Sequence, residues 1–187
     1  MSIPNLITLG RVILVPIVFW LLLTGEMKAA FIFFVVAGIS DGVDGYLAKR
    51  FGWTTELGAY LDPLADKLLL VCIYIALGVA GELPSWLVIA VVTRDVLIVM
   101  GVVLAWVLGN PVVIHPLLVS KTNTVAQIVL AALVMADDGF DLGLDGVRDV
   151  LIWITAALII ASLAAYLRAW ITHMSSDEAE KPESSDV

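Results

Sequence analysis

Apolar segments long enough to cross a lipid bilayer recur along almost the whole of this chain, and nothing else in the sequence constrains its fold as tightly. About 20 residues of helix span the hydrocarbon layer, and six such stretches can be read, at 6–23, 29–51, 57–79, 85–108, 122–135 and 150–171. A soluble core can hide one or two of them, but not six. Of 187 residues, 61% are hydrophobic and 15% charged, against roughly half apolar and a quarter charged in soluble domains. The expectation is an all-α integral membrane protein with six transmembrane helices and a single domain over 1–174. Breaks are expected at Gly25, Gly81-Glu82-Leu83-Pro84, Gly109-Asn110-Pro111 and Gly139, where glycine and proline punctuate the apolar pattern. Ser2-Ile3-Pro4-Asn5 is expected to form a short interfacial segment before the first span.

The formal charge of −8 is local. Positions 175–187 carry five acids and one lysine, positions 137–149 carry five acids and one arginine, and the rest balances at eight acids against eight bases. The polar, Ser-rich end at 175–187 is expected to be a disordered acidic tail. Basic residues orient the spans. With the N-terminus inside, Arg11, Lys49, Arg50, Lys121 and Arg168 face the cytoplasm, and only Lys28 and Arg148 lie outside, which predicts an N-in/C-in topology. No signal-peptide or transit pattern opens the chain, so a multi-pass protein of a bacterial inner membrane is expected. Cys72 is the only cysteine; it excludes an intrachain disulfide and reads as an apolar filler.

Asp41 and Asp44 fall in the second apolar stretch and Asp62 and Asp66 in the third. A charged side chain at the centre of a membrane helix costs about 3 kcal/mol on insertion scales, so something must offset four of them. Separations of three and four residues put each pair on one helical face, and the turn around Trp53-Thr54-Thr55 would let the two pairs face each other. Converging carboxylates repel. Hard divalent cations with a preference for oxygen, Mg²⁺ or Mn²⁺, resolve that repulsion and suit a site that also receives phosphate. Salt bridges to Lys49, Arg50 and Lys67 are the plain structural alternative. Gly45, Ala48 and Gly58 are small residues interleaved with the acids, leaving room for close helices or a ligand.

The run Asp41-Gly-Val-Asp44-Gly45-Tyr-Leu-Ala48-Lys49, continued by Gly58, Asp62 and Asp66, resembles the signature of the CDP-alcohol phosphatidyltransferases, with seven spaced positions in register. Lys49 stands where that family usually has arginine, and Arg50 follows it. The opening segment Ile3-Pro4-Asn5-Leu6-Ile7-Thr8-Leu9-Gly10-Arg11 is similar to those of phosphatidylglycerophosphate synthases and cardiolipin synthases. Thr93-Arg94-Asp95-Val96 and Ser120-Lys121-Thr122-Asn123-Thr124 look more like the mitochondrial-type cardiolipin synthases. The glycerophosphate-using relatives carry more cations in those regions.

The resemblance implies that Asp41, Asp44, Asp62 and Asp66 hold two Mg²⁺ or Mn²⁺ ions and that Asp66 is also the general base. It implies that Gly45, Ala48, Lys49 and Gly58, with Asn5 and Thr8, line the nucleotide site. Arg94, Lys121 and Arg11 are the candidates for the acceptor site, although an intramembrane Arg94 could instead pair with Asp95 or a site acid. The implied donor is CDP-diacylglycerol, and the acceptor phosphatidylglycerol, giving cardiolipin, or alternatively glycerol 3-phosphate. A homodimer is expected and a nucleic-acid partner is not. A divalent-metal transporter is the reading of another class, since intramembrane acids also mark ion paths; it would spread them over more helices and depths.

Overall fold

The computed structural model describes residues 3–51, 56–107 and 118–179, and all of its regular structure is helical. The elements are α1 (Ile3–Leu23), α2 (Met27–Phe51), α3 (Glu56–Ala80), α4 (Ser85–Val107), α5 (Leu118–Phe140) and α6 (Asp145–Ala179). The expected turns at 52–55 and 109–111 lie outside the described residues.

Three helix ends are closed by the same local chemistry. After α1, the Gly25 amide donates to the Leu22 carbonyl at 3.2 Å and the Glu26 amide to the Leu21 carbonyl at 2.9 Å. After α3, Gly81 donates to Gly78 at 3.2 Å and Glu82 to Leu77 at 2.9 Å. These paired bonds form the Schellman motif, which satisfies carbonyls orphaned at a helix end and needs a left-handed residue. Gly25 and Gly81 supply it with φ of 79° and 86°. At the end of α5 the left-handed residue is Asp141, at φ 53°, and the Leu142 amide closes on the Asp137 carbonyl at 3.2 Å.

The sequence expectation of a break at Gly139 is corrected here: Gly139 is inside α5, and the chain turns at 141–144. A Cβ at Gly139 would lie 2.8 Å from the Lys28 backbone nitrogen and 2.9 Å from its Cα. Its glycine therefore serves helix approach, not chain reversal. The segment expected ahead of the first span is continuous with it: Ile3, Pro4 and Asn5 begin α1 itself, where proline's missing amide and fixed φ suit a first turn. At the other terminus α6 continues through 175–179, without glycine or proline until Pro182.

Packing follows the apolar stripes. α1 lies against α2 and α3, α5 against α2, α3 and α6, and α4 against α3 and α6. Along α3, Leu69, Leu70, Ile73, Tyr74, Ala76 and Leu77 are buried, the three-and-four spacing of one helical face. They meet Val18 and Leu22 of α1, Leu87 and Val91 of α4 and Leu130 and Val134 of α5 in one core. The outside is apolar as well, with Trp20, Ile89, Leu118, Trp153 and Ile160 well exposed. A monomer with that surface is built for a nonaqueous solvent. Among the described residues, 118–140 and 145–168 are long and apolar enough to cross a membrane.

The turn-bearing end is pinned by contacts between connections. Arg148 donates to Glu82 at 3.0 Å, Trp86 stacks on Trp153 with centroids 5.6 Å apart, and Lys28 sits 5.0 Å above the Phe140 ring. Gly78 also packs tightly, but against a side chain: its Cβ would meet Val88 Cγ2 at 2.8 Å. A valine methyl can move aside more readily than backbone. Gly139→Ala should therefore lower the melting temperature in detergent by more than Gly78→Ala, by about 4 °C or more. Equal losses in thermal denaturation would show that the α2–α5 approach is not the tighter constraint.

Candidate functional site

Four carboxylates lie on two helices that share α1 as a neighbour. Asp41 and Asp44 belong to α2 and Asp62 and Asp66 to α3, and the backbone is helical at all four positions. Spacings of three and four on unbroken helix keep each pair on one face. Gly45, Ala48 and Lys49 follow on α2, Gly58 precedes on α3, and Asn5, Thr8 and Arg11 lie on α1. The side chains of all these residues fall outside those described. Among the described residues no group of three or more His, Cys, Asp or Glu could hold a metal. The donor set at 41, 44, 62 and 66 is all oxygen and anionic, which fits a hard divalent cation such as Mg²⁺ or Mn²⁺.

Beside these acids in the fold sits a polar cluster that is described in full atomic detail. Arg94, midway along α4, is completely buried, and Asp95 is 5% exposed. The guanidinium donates through Nη1 to Asp95 Oδ1 at 2.5 Å and through Nη2 to Ser120 Oγ at 2.5 Å. Ser162 Oγ accepts from Nη2 at 2.9 Å and from Nε at 3.3 Å. A charged group without such partners could not remain in this setting, because burial strips its hydration. Arg94 thus ties α4 to α5 and α6, and its rigid donor fork lets it reach several acceptors at once.

Asp95 Oδ1 also meets Lys67 Nζ at 3.1 Å, and the Lys67 side chain is 35% exposed. Lys67 follows Asp66 directly on α3, so this ion pair ends next to the carboxylate helix. Tyr166 OH reaches Ser120 Oγ at 3.4 Å. Of the other two candidates for the acceptor site, Lys121 is exposed on α5 and Arg11 is on α1. The sequence singles out Arg94 because an intramembrane arginine is expensive, and its pairing with Asp95 is one of the alternatives read there. Ser120 and Ser162 carry no such signal, since ordinary serines become notable only when distant helices converge on a cation.

A seam of polar side chains continues from this cluster into the core. Asn123 and Gln127 on α5 and Thr155 on α6 are fully buried. Among the described residues neither carboxamide has a hydrogen-bond partner on its oxygen or nitrogen, and the Thr155 hydroxyl has none. Nearby, Tyr74 OH donates to the Gln127 backbone carbonyl at 3.1 Å. The Gly139–Lys28 approach indexes this seam against α2, which runs antiparallel to α5. Asn123 lies sixteen residues from Gly139 (139 − 123), and Asp44 lies sixteen from Lys28 (44 − 28). Both are about 24 Å from that contact along their helices.

The family model for CDP-alcohol phosphatidyltransferase matches residues 1–172. The chain is similar to the chloroplastic CDP-diacylglycerol–glycerol-3-phosphate 3-phosphatidyltransferase 1 of Oryza sativa subsp. japonica, 36% identical over 186 residues, covering 89% of this chain and 56% of the relative. It is similar to the CDP-diacylglycerol–glycerol-3-phosphate 3-phosphatidyltransferase of Escherichia coli K12, 34% identical over 177 residues, with 90% and 94% covered. It is also similar to the cardiolipin synthase (CMP-forming) of Rattus norvegicus, 31% identical over 181 residues, with 87% and 59% covered. The chain therefore spans little more than half of the rice and rat proteins but nearly all of the bacterial one.

The cluster makes a stability prediction independent of chemistry. Arg94→Met removes one partner of a buried ion pair and strands two serines, and should destabilise by on the order of 3 kcal/mol. Ser162→Ala removes two acceptor contacts and should cost about 1–3 kcal/mol. Denaturation of the two variants in detergent checks the order; an Arg94→Met protein as stable as the wild type would show that the tie contributes nothing.

Proposed function

The chain belongs to the CDP-alcohol phosphatidyltransferase family, and from that premise we propose that it transfers the phosphatidyl group of CDP-diacylglycerol to an alcohol and releases CMP. The observation that carries the reading is the register of Asp41, Asp44, Asp62 and Asp66 on two continuous helices, inside a family match covering residues 1–172. A metal transporter would not require that spacing or the interleaved Gly45, Ala48 and Gly58.

The roles follow from the chemistry. Asp41, Asp44, Asp62 and Asp66 would hold two Mg²⁺ or Mn²⁺ ions, whose contribution is to bind the pyrophosphate and offset charge at the transferred phosphorus. Gly45, Ala48, Lys49, Gly58, Asn5 and Thr8 bind the cytidine nucleotide. The acceptor hydroxyl is a poor nucleophile, and Asp66 accepts its proton as the new P–O bond forms and the bond to CMP breaks. CMP leaves as a stable phosphate monoester and needs little acid assistance.

The favoured acceptor is phosphatidylglycerol, with cardiolipin as product. Support comes from the buried cluster beside the carboxylate helix: Lys67 and Arg94 against Asp95 leave +1 there (two cations, one anion), with Lys121 exposed outside it. Asn123, neutral and fully buried, adds none. A phosphodiester carries one negative charge and a phosphomonoester close to two, so a sparsely cationic site matches the diester. Glycerol 3-phosphate is the second reading, favoured by the names of the rice and Escherichia coli relatives.

The six helices are read as six spans with both termini in the cytoplasm, in a bacterial inner membrane, with the site opening to the cytoplasmic face and two copies forming a homodimer. The apolar exterior and the distribution of Arg11, Lys49, Arg50 and Lys121 support that reading.

Asp41→Asn and Asp62→Asn should each reduce CMP release by at least about a thousandfold while the protein remains inserted, because each removes a charged ligand from the metal set. Purified protein given CDP-diacylglycerol and Mg²⁺ or Mn²⁺, with phosphatidylglycerol or glycerol 3-phosphate in separate reactions, identifies the acceptor. Cardiolipin from the first supports the favoured reading. Phosphatidylglycerophosphate from the second alone transfers the assignment to the other acceptor, and near-normal turnover in either Asn variant would sink the role of the four acids.

A further inference from the structure

We propose that Asp95 is a positioning residue that holds the Lys67 ammonium beside the carboxylate helix as the binding group for a substrate phosphate. This rests on the phosphatidyl-transfer reading. Two cations converge on one carboxylate oxygen: Asp95 Oδ1 accepts from Arg94 at 2.5 Å and forms an ion pair with the Lys67 ammonium at 3.1 Å. Arg94 is fully buried, and its Nε, Nη1 and Nη2 are all engaged, by Asp95, Ser120 and Ser162. It is a framework group. Lys67 is different. Its side chain is 35% exposed, and its ammonium brings three donors to the ion pair with Asp95.

The cluster has one more positive charge than negative, and that surplus attracts an incoming anion once the neighbouring Asp62 and Asp66 are matched by their own cations. Position supplies the specificity. Lys67 is the residue after Asp66 on α3, with its Cα about 3.8 Å from that of Asp66, so its ammonium works at the depth where the reacting phosphorus must lie. Lysine is a long, flexible side chain, and a tether to Asp95 removes part of the freedom that binding would otherwise cost. Asp95 is in turn fixed through Arg94 to Ser120 of α5 and Ser162 of α6, so the placement of one ammonium is set by three other helices. The shared chemistry is a phosphate oxygen, from the donor's pyrophosphate or from the acceptor.

The test uses the full-length protein in detergent–lipid micelles, with KM measured separately for CDP-diacylglycerol and for the acceptor, and melting temperature in parallel. Lys67→Met should raise one of the two KM values about tenfold or more, the loss expected for a charge-assisted hydrogen bond, with little change in melting temperature. Lys67→Arg should restore most of it. A rise for the acceptor alone identifies the acceptor phosphate, and a rise for CDP-diacylglycerol alone identifies the pyrophosphate. Asp95→Asn should raise the same KM, and should add little to it in the Lys67→Met background if Asp95 acts through Lys67. Both KM values within twofold of wild type in Lys67→Met would overturn the proposal, as would a loss of stability without a KM shift. An equal further rise from Asp95→Asn in that background would overturn the positioning role. Should Asp95→Asn fail to fold, the Lys67 pair of variants still decides the phosphate contact. Failure of the wild type to release CMP with either acceptor would count against the transfer reading itself; Lys67 is then judged by CDP-diacylglycerol binding to wild type and Lys67→Met.

Discussion

Burying a full positive charge out of reach of water is the demand around which the middle of this bundle is organised. Arg94 has no exposed surface, and a guanidinium in that position must find acceptors for its donors or not be there. Asp95, its neighbour on α4, provides charge, Ser120 and Ser162 provide hydroxyl oxygens, and each serine comes from a helix that must be in register to do so. The consequence reaches α3 as well, because the same Asp95 oxygen takes Lys67. Four of the six helices thus meet at one ionic knot, next to the helix that carries Asp62 and Asp66.

The turn-bearing end complements this knot in a different way. There, backbone satisfaction is local: Gly25, Gly81 and Asp141 each reverse a helix with a left-handed residue. The close α2–α5 approach at Gly139 and the Arg148–Glu82 bridge join the reversals to one another. Bilayer hydrocarbon gives helices little hydrophobic reason to associate, so small residues and polar contacts carry much of the specificity. Both devices are visible here, at opposite levels of the same bundle.

Much of the helical framework was legible because apolar runs and glycine punctuation are local signals. Four of the six helices match the apolar stretches to within three residues at both ends, α5 and α6 run four to eight residues beyond theirs at each end, and the reversals at Gly25 and Gly81 fall where the sequence puts them. Gly139 misled because a glycine that permits a neighbouring backbone to approach looks, in sequence, like one that turns the chain. Pro4 left the first boundary three residues late, since a proline that begins a helix resembles one that precedes it. That the four aspartates fall as two pairs on two helices was legible from their spacing, and the oddity of Arg94 from the cost of a charge within an apolar stretch. Its partners Ser120 and Ser162 were not, because their meaning arises only from contacts across 26 and 68 residues of chain.

α4 has sparse contacts with the rest of the bundle and turns Ile89, Val96, Leu97 and Met100 outward. A helix held mainly by dispersion can slide or roll at small cost, since one methyl packs nearly as well as another. A helix held by a guanidinium fork cannot: a slip of one residue would swing Arg94 by about 100° and carry it about 1.5 Å along the axis, out of reach of both serines. The arginine therefore acts as a key in a keyway, indexing the rotational phase of a peripheral helix that its greasy neighbours would leave free to drift. Which side chains that helix offers to lipid is decided by the one residue on it that lipid cannot accept.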